Sequence, residues 1–393
     1  MERSLYEPAM INNMSLNNRL VRSAAYESMA AEDGSVTDQL IALYTTLAKG
    51  GVGLIITGYA YVQENGHCMP FQTGVFRDDN IPGLRKLADA VHAKGGKIAL
   101  QIVHSGRQTT PALLGGQTPM APSAMEADPF FHTEPRAMTT AEIRETVDAF
   151  AAAAVRCKKA GFDAVQLHGA HGYLIAQFLS PFTNRRTDEW GGNTGNRMRF
   201  VKEVIKEIRA AVGPEYPVLI KISVEEGVGN GVTLDESCRI AKGLADAGVD
   251  AIEVSGGIVA DTPFIMSRGD VPIDQLTGGL EGDAKAQTER FFYSIADGVK
   301  MQEAYWLRHA EKIKEVVGNV PVILVGGMKY PQTMETIVQE KKADFVSLAR
   351  ALVREPGLPN EMAKGRRSPV KCAYCNRCLA AIIAGQPLKC YNR

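Results

Sequence analysis

The stretch from Leu167, LHGAHGYLIAQFLSP, places His168 and His171 three residues apart, with Tyr173 two further on. The chain has seven histidines, so two this close beside a tyrosine ask for a reason. Neutral imidazoles donate and accept hydrogen bonds near pH 7, and a phenol holds a transferable proton. Such groups at a strand end could serve an active site. The plainer alternative is a pair of packed or surface residues in a loop.

A second chemical cluster lies at the other end. Cys372, Cys375, Cys378 and Cys390 fall within the last 22 residues, separated by two, two and eleven others. Four thiolates so spaced suit a [4Fe–4S] cluster or a structural zinc ion, and spacing alone favours neither. The remaining cysteines, Cys68, Cys157 and Cys238, are isolated, and an odd total of seven argues against a disulfide framework.

The elements that position these groups follow one repeated junction: a helix ending in Gly, then a short apolar strand. AKGGVGLIITG, AKGGKIALQIVHSG, KAGFDAVQLHG and DAGVDAIEVSG all show it. Gly after a helix takes the left-handed cap, and near-continuous apolar runs fit strands covered on both faces. Thr139 with Glu142, and Thr233 with Glu236, have capping-box spacing at helix starts. Eight strand-like runs can be counted, from NRLVRSAAY to DFVSLARAL, each separated by enough chain for a crossover helix. This pattern predicts a (β/α)8 TIM barrel over residues 1–360, with a cysteine-rich tail over 361–393. A doubly wound sheet is disfavoured, because no Gly-x-Gly-x-x-Gly follows the first strand. Between Gly257 and Val299 the sixth βα connection is unusually long, as expected of a segment that covers a site.

Composition adds limits. Acidic and basic residues number 44 each, which gives no cause to expect nucleic acid or an anionic membrane surface as a partner. The start, MERSLYEPAMINN, is charged from its second residue and does not read as a signal peptide. No apolar run approaches the roughly 18 residues of a membrane span, so a cytoplasmic protein is expected.

In a barrel the site gathers where strands end. His168 closes the fourth strand, and His171 and Tyr173 follow in its loop. Gly326 and Gly327 after strand seven, with Ala349 and Arg350 after strand eight, suit a phosphate. Gln101 offers an amide on strand three. Lys221 on strand five is a charge that would be costly to bury without a partner. Such a set fits reduced FMN, but these residues alone do not separate FMN from a phosphosugar.

The run HGAHGYLIAQFLSPFTNRRTDEWGGNTGNRMRF resembles the signature of the Old Yellow Enzyme family of FMN-dependent ene-reductases. It most resembles the branch that includes the barrel domain of bacterial 2,4-dienoyl-CoA reductase, with its adjoining iron–sulfur cysteine segment. The likeness runs from NNRLVRSA through KIALQIVHSGR to VSLARALVREP. It implies FMN across the barrel mouth, lined by Ser23, Ala24, Ala25 and Tyr26 from strand one and by Gly58 and Tyr59 from strand two. Gln101 would meet the pyrimidine edge, Lys221 the N1–C2 region, and Gly326, Gly327, Ala349 and Arg350 the phosphate. His168 and His171 would clamp a substrate carbonyl, His168 beside the flavin, and Tyr173 would donate the proton.

The implied reaction passes hydride from NADH or NADPH, through FMN, to the C=C bond of an enone or an enoyl thioester. For the tail the resemblance tips the reading from zinc to [4Fe–4S], with Cys372, Cys375, Cys378 and Cys390 as ligands. Two departures stand out: lysine at 221 where many members have arginine, and a bulky Tyr26 near the flavin. The gap from Cys375 to Cys378 is also one residue short of the family spacing. A homo-oligomer is expected, and a cluster would exchange electrons with a partner outside this chain. The alternative function is a flavin and iron–sulfur electron-transfer module without an organic substrate, against which the intact HGAHGY argues.

Overall fold

A computed structural model describes residues 4–392; Arg393 and the first three residues of the N-terminal stretch read above lie outside it. Eight strands close into a parallel barrel: Leu20–Arg22, Leu54–Tyr61, Ile98–Val103, Ala164–Gly169, Val218–Ser223, Ala251–Ser255, Val322–Val325 and Phe345–Leu348. These are the eight runs expected from sequence. The left-handed glycines after helices are Gly51, Gly95, Gly161 and Gly248, with φ between 73° and 90°. Thr139 and Glu142 form the full capping box. At Thr233 only half of one forms, because the Glu236 carboxylate is taken by Arg197 and Thr194.

The structure adds elements that the sequence reading left unassigned. Ala9–Ile11 and Met14–Leu16 pair as an antiparallel hairpin across the N-terminal end of the barrel. Its Ala9, Ile11, Met14 and Leu16 join Val21, Leu54, Ile56, Leu219, Ile323 and Phe345 in one buried cluster. The hairpin thus stops the barrel where no site is needed and keeps water from the apolar layers. The long sixth connection folds into helices Ile273–Leu276 and Gly282–Ala296 around Phe264, Ile273, Phe292 and Val299, with Leu379 of the tail packed against them. The tail carries a helix, Arg377–Ile383, and its Val370, Tyr374, Ile382 and Leu388 are part of the main core. Among the described residues no helix is long and apolar enough to cross a membrane.

The plug is testable. Ile11 and Leu16 are fully buried, so Ile11→Ala or Leu16→Ala should cost about 2–5 kcal/mol, the range for large-to-small changes in a core. Urea unfolding should show a lower midpoint with unchanged slope. An unchanged midpoint would mean that the hairpin does not close the barrel.

Candidate active site

Above the apolar layers the barrel interior turns polar. Each strand presents alternate residues inward, and the polar ones stand near the strand ends. Gln101 Nε2 donates to Gln166 Oε1 at 2.7 Å, and Gln166 Nε2 donates to Glu253 Oε2 at 2.9 Å. Ser347 Oγ donates to Glu253 Oε1 at 2.9 Å. Lys221 Nζ lies 3.4 Å from Glu253 Oε2 and donates to Ser23 Oγ at 2.9 Å. Burial pushes the Lys221 pKa down, and the Glu253 charge holds it back up. The chain of bonds ends at Gln101 Oε1, a buried acceptor with no protein donor.

The histidines and tyrosine meet on this floor. The His168 and His171 rings stand edge to face at 5.1 Å, and Tyr173 packs on His168 at 4.7 Å. Tyr59 packs on Tyr173 at 5.2 Å and stacks with Tyr26 at 5.7 Å. His171 takes a positive φ of 59°, rare outside glycine. The turn is held by Val259 N–H and Gln108 Nε2, both donating to the His171 carbonyl at 3.0 Å. The Ala170 N–H donates to His168 Nδ1 at 3.4 Å, so the neutral ring carries its proton on Nε2. His171 Nε2 is hydrogen-bonded to Ser255 Oγ at 2.7 Å. Burial drives both imidazoles well below their usual pKa, and the Lys221 charge adds to the shift. Burial likewise raises Tyr173 well above the usual phenol value. Two neutral imidazoles and a firmly protonated phenol therefore face one apolar cavity.

That cavity is lined by Ser23, Ala24, Ala25, Tyr26, Tyr59, Gln101, Lys221, Gly326, Gly327, Ala349 and Arg350, together with His168, His171 and Tyr173. Gly58 stands apart from them. A register shift in strand two turns its amide away, to donate to Glu27 Oε1 at 2.6 Å and Tyr44 Oη at 2.8 Å. The Arg350 guanidinium is also differently engaged: it donates to the Ser267 and Arg268 carbonyls at 3.1 and 2.9 Å and to Asn376 Oδ1 at 2.6 Å.

The four tail cysteines do not form the expected metal site as they stand. Among the described residues no three His, Cys, Asp or Glu side chains converge on a common ion. Cys372 and Cys378 pack as apolar groups against the core, and burial raises the Cys378 thiol to about 11. The four are neighbours all the same, since Cys375 and Cys390 shift Cys372, and Cys372 and Cys375 shift Cys378.

Sequence reasoning missed Gln166, Glu253 and Ser347, which complete the floor, and Ser255, which holds His171. The signal was present: each interrupts an apolar strand, and each of the first three stands one to three residues before the strand end.

A family model for NADH:flavin oxidoreductase / NADH oxidase matches residues 4–274 and 292–368. An NADH oxidase of Thermoanaerobacter brockii is 40% identical over 375 residues, which are 95% of this chain and 53% of that protein. The chain thus spans about half the length of that curated relative. Among solved structures, a 2-naphthoyl-CoA reductase complex with 2-naphthoyl-CoA superimposes with a TM-score of 0.85 and 27% identity, over 98% of this chain and 56% of that one. An old yellow enzyme homologue from Zymomonas mobilis gives 0.74 and 25%, over 94% and 96% of the two chains.

The buried imidazoles predict how stability depends on pH. A histidine whose folded pKa is depressed is neutral when folded and takes up a proton when unfolded. Its stabilising contribution is therefore complete above the unfolded value, about 6.5, and is lost as pH falls below it. His168 and His171 behave in this way, as does His104, lowered to about 3 by burial. Glu27, raised to about 7 by burial, opposes them over part of the range. His171→Asn should remove one such group. The decline in unfolding free energy between pH 6 and 5 should then be shallower by about 1.4 kcal/mol per pH unit. An equally steep decline in the variant would show that His171 titrates normally.

Proposed function

The chain belongs to the NADH:flavin oxidoreductase / NADH oxidase family, whose members include the old yellow enzymes, and from that premise we propose that it is an FMN-dependent ene-reductase. The observation that carries this reading is the meeting of His168, His171 and Tyr173 on one cavity wall, above a buried polar floor. The residues present fit FMN. Gln101 Oε1 is a buried acceptor without a protein donor, suited to a flavin N–H. Lys221 places a cation where a reduced ring gathers charge. A Cβ on Gly327 would lie 2.1 Å from the Gln302 carbonyl oxygen, so only glycine fits that turn. When bound, FMN supplies two-electron chemistry, accepting from NADH or NADPH and delivering to a C=C bond conjugated with a carbonyl.

The protein's share is the carbonyl and the proton. His168 and His171 hydrogen-bond the carbonyl oxygen as it gains charge. A donor aimed at a developing oxyanion is worth about 10²–10³ in rate. Tyr173 Oη gives its proton to the carbon next to that carbonyl. Phe130, Phe131, Met69 and Val259 line the cavity nearby and exclude water.

For the tail we propose that Cys372, Cys375, Cys378 and Cys390 hold an iron–sulfur cluster, which would supply single electrons. Four neighbouring thiols are the donor set that such a cluster requires.

Two measurements test these readings. Tyr173→Phe should leave reduction of the flavin by pyridine nucleotide nearly unchanged while slowing enone reduction by about 10²–10⁴. Stopped-flow kinetics of the two half-reactions separate them, and equal slowing of both, or of neither, would make the tyrosine structural. Protein purified without oxygen should carry iron and acid-labile sulfide at about four each per chain, both lowered in Cys375→Ser. Stoichiometric zinc without sulfide would overturn the cluster.

A further inference from the structure

One fully buried side chain behind the cavity spends both its polar atoms on segments that form the cavity wall. Gln108, in the connection after strand three, is not among the cavity-lining residues. Its Nε2 donates to the His171 carbonyl at 3.0 Å, and its Oε1 accepts from the Ala260 N–H at 3.0 Å. His171 belongs to the connection after strand four, and Ala260 to the one after strand six. Those two connections also meet directly, through the Val259 N–H on the His171 carbonyl and a parallel bridge between His171 and Ile258. Gln108 thus joins three βα connections at one point.

The backbone resists the conformation held there. At φ 59° His171 lies in the left-handed region, which a residue with a Cβ keeps only where its surroundings fix it. Gly172 follows at φ 79°, and a Cβ on it would lie 2.5 Å from Ile258 Cγ2 and 3.1 Å from Gln108 Oε1. The turn is therefore clamped between Gln108 and the sixth connection. Its direction decides where the His171 ring stands, with Nε2 on Ser255 Oγ at 2.7 Å. The Gln108 backbone carbonyl also accepts from Cys68 Sγ at 3.0 Å, and that sulfur lies 3.8 Å from Tyr173 Oη. A buried side chain facing one carbonyl oxygen and one N–H needs a neutral group that donates at one end and accepts at the other. An amide does this, whereas a carboxylate would set its charge against the His171 carbonyl.

We propose that Gln108 is a positioning residue for the ene reduction: it fixes the left-handed turn at His171, and through it the direction of one of the two donors to the substrate oxygen. The proposal rests on the functional reading above. It also ties the placement of that donor to the sixth connection, whose Val259 lines the cavity.

The test isolates the step in which flavin gives up its electrons. Holoprotein reduced with dithionite would be mixed, without oxygen, with cyclohexenone and separately with crotonyl-CoA, following flavin absorbance by stopped flow. Gln108→Met keeps the volume and removes both bonds. Its limiting rate should fall about 10-fold to 100-fold, since a misplacement of about 1 Å costs up to about 10². The amplitude per flavin should stay that of wild type, because a misfolded fraction lowers amplitude and leaves the rate of the remainder unchanged. Gln108→Glu separates positioning from packing. When protonated, the introduced carboxyl donates and accepts as the amide does; when ionised, it repels the His171 carbonyl. Burial raises a carboxyl pKa, so the limiting rate should be near that of wild type at about pH 6 and approach that of Gln108→Met by about pH 8. The titratable neighbours Cys68, His171, Tyr173 and the Arg107–Asp261 pair are the same in wild type, so a step absent from wild type belongs to that carboxyl. An unchanged limiting rate in Gln108→Met would overturn the proposal. So would a rate in Gln108→Glu lowered equally at every pH, which would mark a packing effect. A wild type whose reduced flavin passed electrons to neither compound would overturn the functional reading itself, and this inference with it.

Discussion

Everything above the apolar layers depends on one buried charge pair, Lys221 with Glu253. An isolated ammonium inside a barrel costs many kcal/mol and sheds its proton instead. Here Glu253, fully buried, stands 3.4 Å away, and its remaining acceptor capacity is met by Gln166 and Ser347. Removing either partner would strand the other's charge, a loss of about 3–5 kcal/mol. The pair also constrains register, because a slip of one residue in strand five or six would turn a charge into the helical layer. The cost of burial is accepted because the network leaves Lys221 and the free Gln101 Oε1 facing the cavity. A wholly apolar barrel would be easier to fold and would have nothing to offer a heterocycle.

The second constraint acts at strands seven and eight. Three stretches that are not barrel strands converge there: the turn at Gly326–Gly327, the connection at 266–270, and the tail at 374–376. Arg350 ties them together, with Asn376 Nδ2 donating to the Ser267 and Asp270 carbonyls at 2.8 and 3.0 Å. Tyr374 Oη donates to the Met328 carbonyl at 2.8 Å, and the Arg350 guanidinium lies over its ring at 5.0 Å. The cysteine segment is thereby fastened to the cavity wall, and Cys378 itself lines the cavity. An arginine read from sequence as a ligand for phosphate serves here first as the knot between the barrel and its appendages.

The barrel was legible because its signals are local. Gly after a helix and a short apolar run identify each βα unit without reference to any other. The HGAHGY run was legible because its residues are consecutive, six of them at a strand end and in the loop after it. Glu253 and Gln166 were hidden for the opposite reason. Each is one polar residue in an apolar strand, and its meaning depends on a partner 32 residues away for Glu253 and Lys221, or 65 for Gln166 and Gln101. The placing of the Gly58 amide against Glu27 and Tyr44 was hidden because it follows a register shift, which leaves no compositional mark. The N-terminal hairpin was missed because three-residue strands are too short to show periodicity. Gln108 lies in irregular backbone, where no period tells which side chains point inward.

These constraints bear on how the three groups of the opening stretch would divide their work in the proposed reaction. A protonated imidazole would be a stronger donor to a carbonyl oxygen, yet burial and the nearby Lys221 cation keep both rings neutral. Charge on either ring would compete with the lysine for the same patch of low dielectric. Neutral donors still stabilise an oxygen as it becomes anionic, and they bind the uncharged ground state less tightly. That difference is what lowers a barrier. In the proposed reaction the proton would then come from elsewhere. Tyr173, raised far above its usual pKa, keeps its hydrogen at every working pH, and the carbon it would protonate is more basic than a phenolate. A weak acid suffices for so strong a base, and a stronger one at that position would lose its proton to water first.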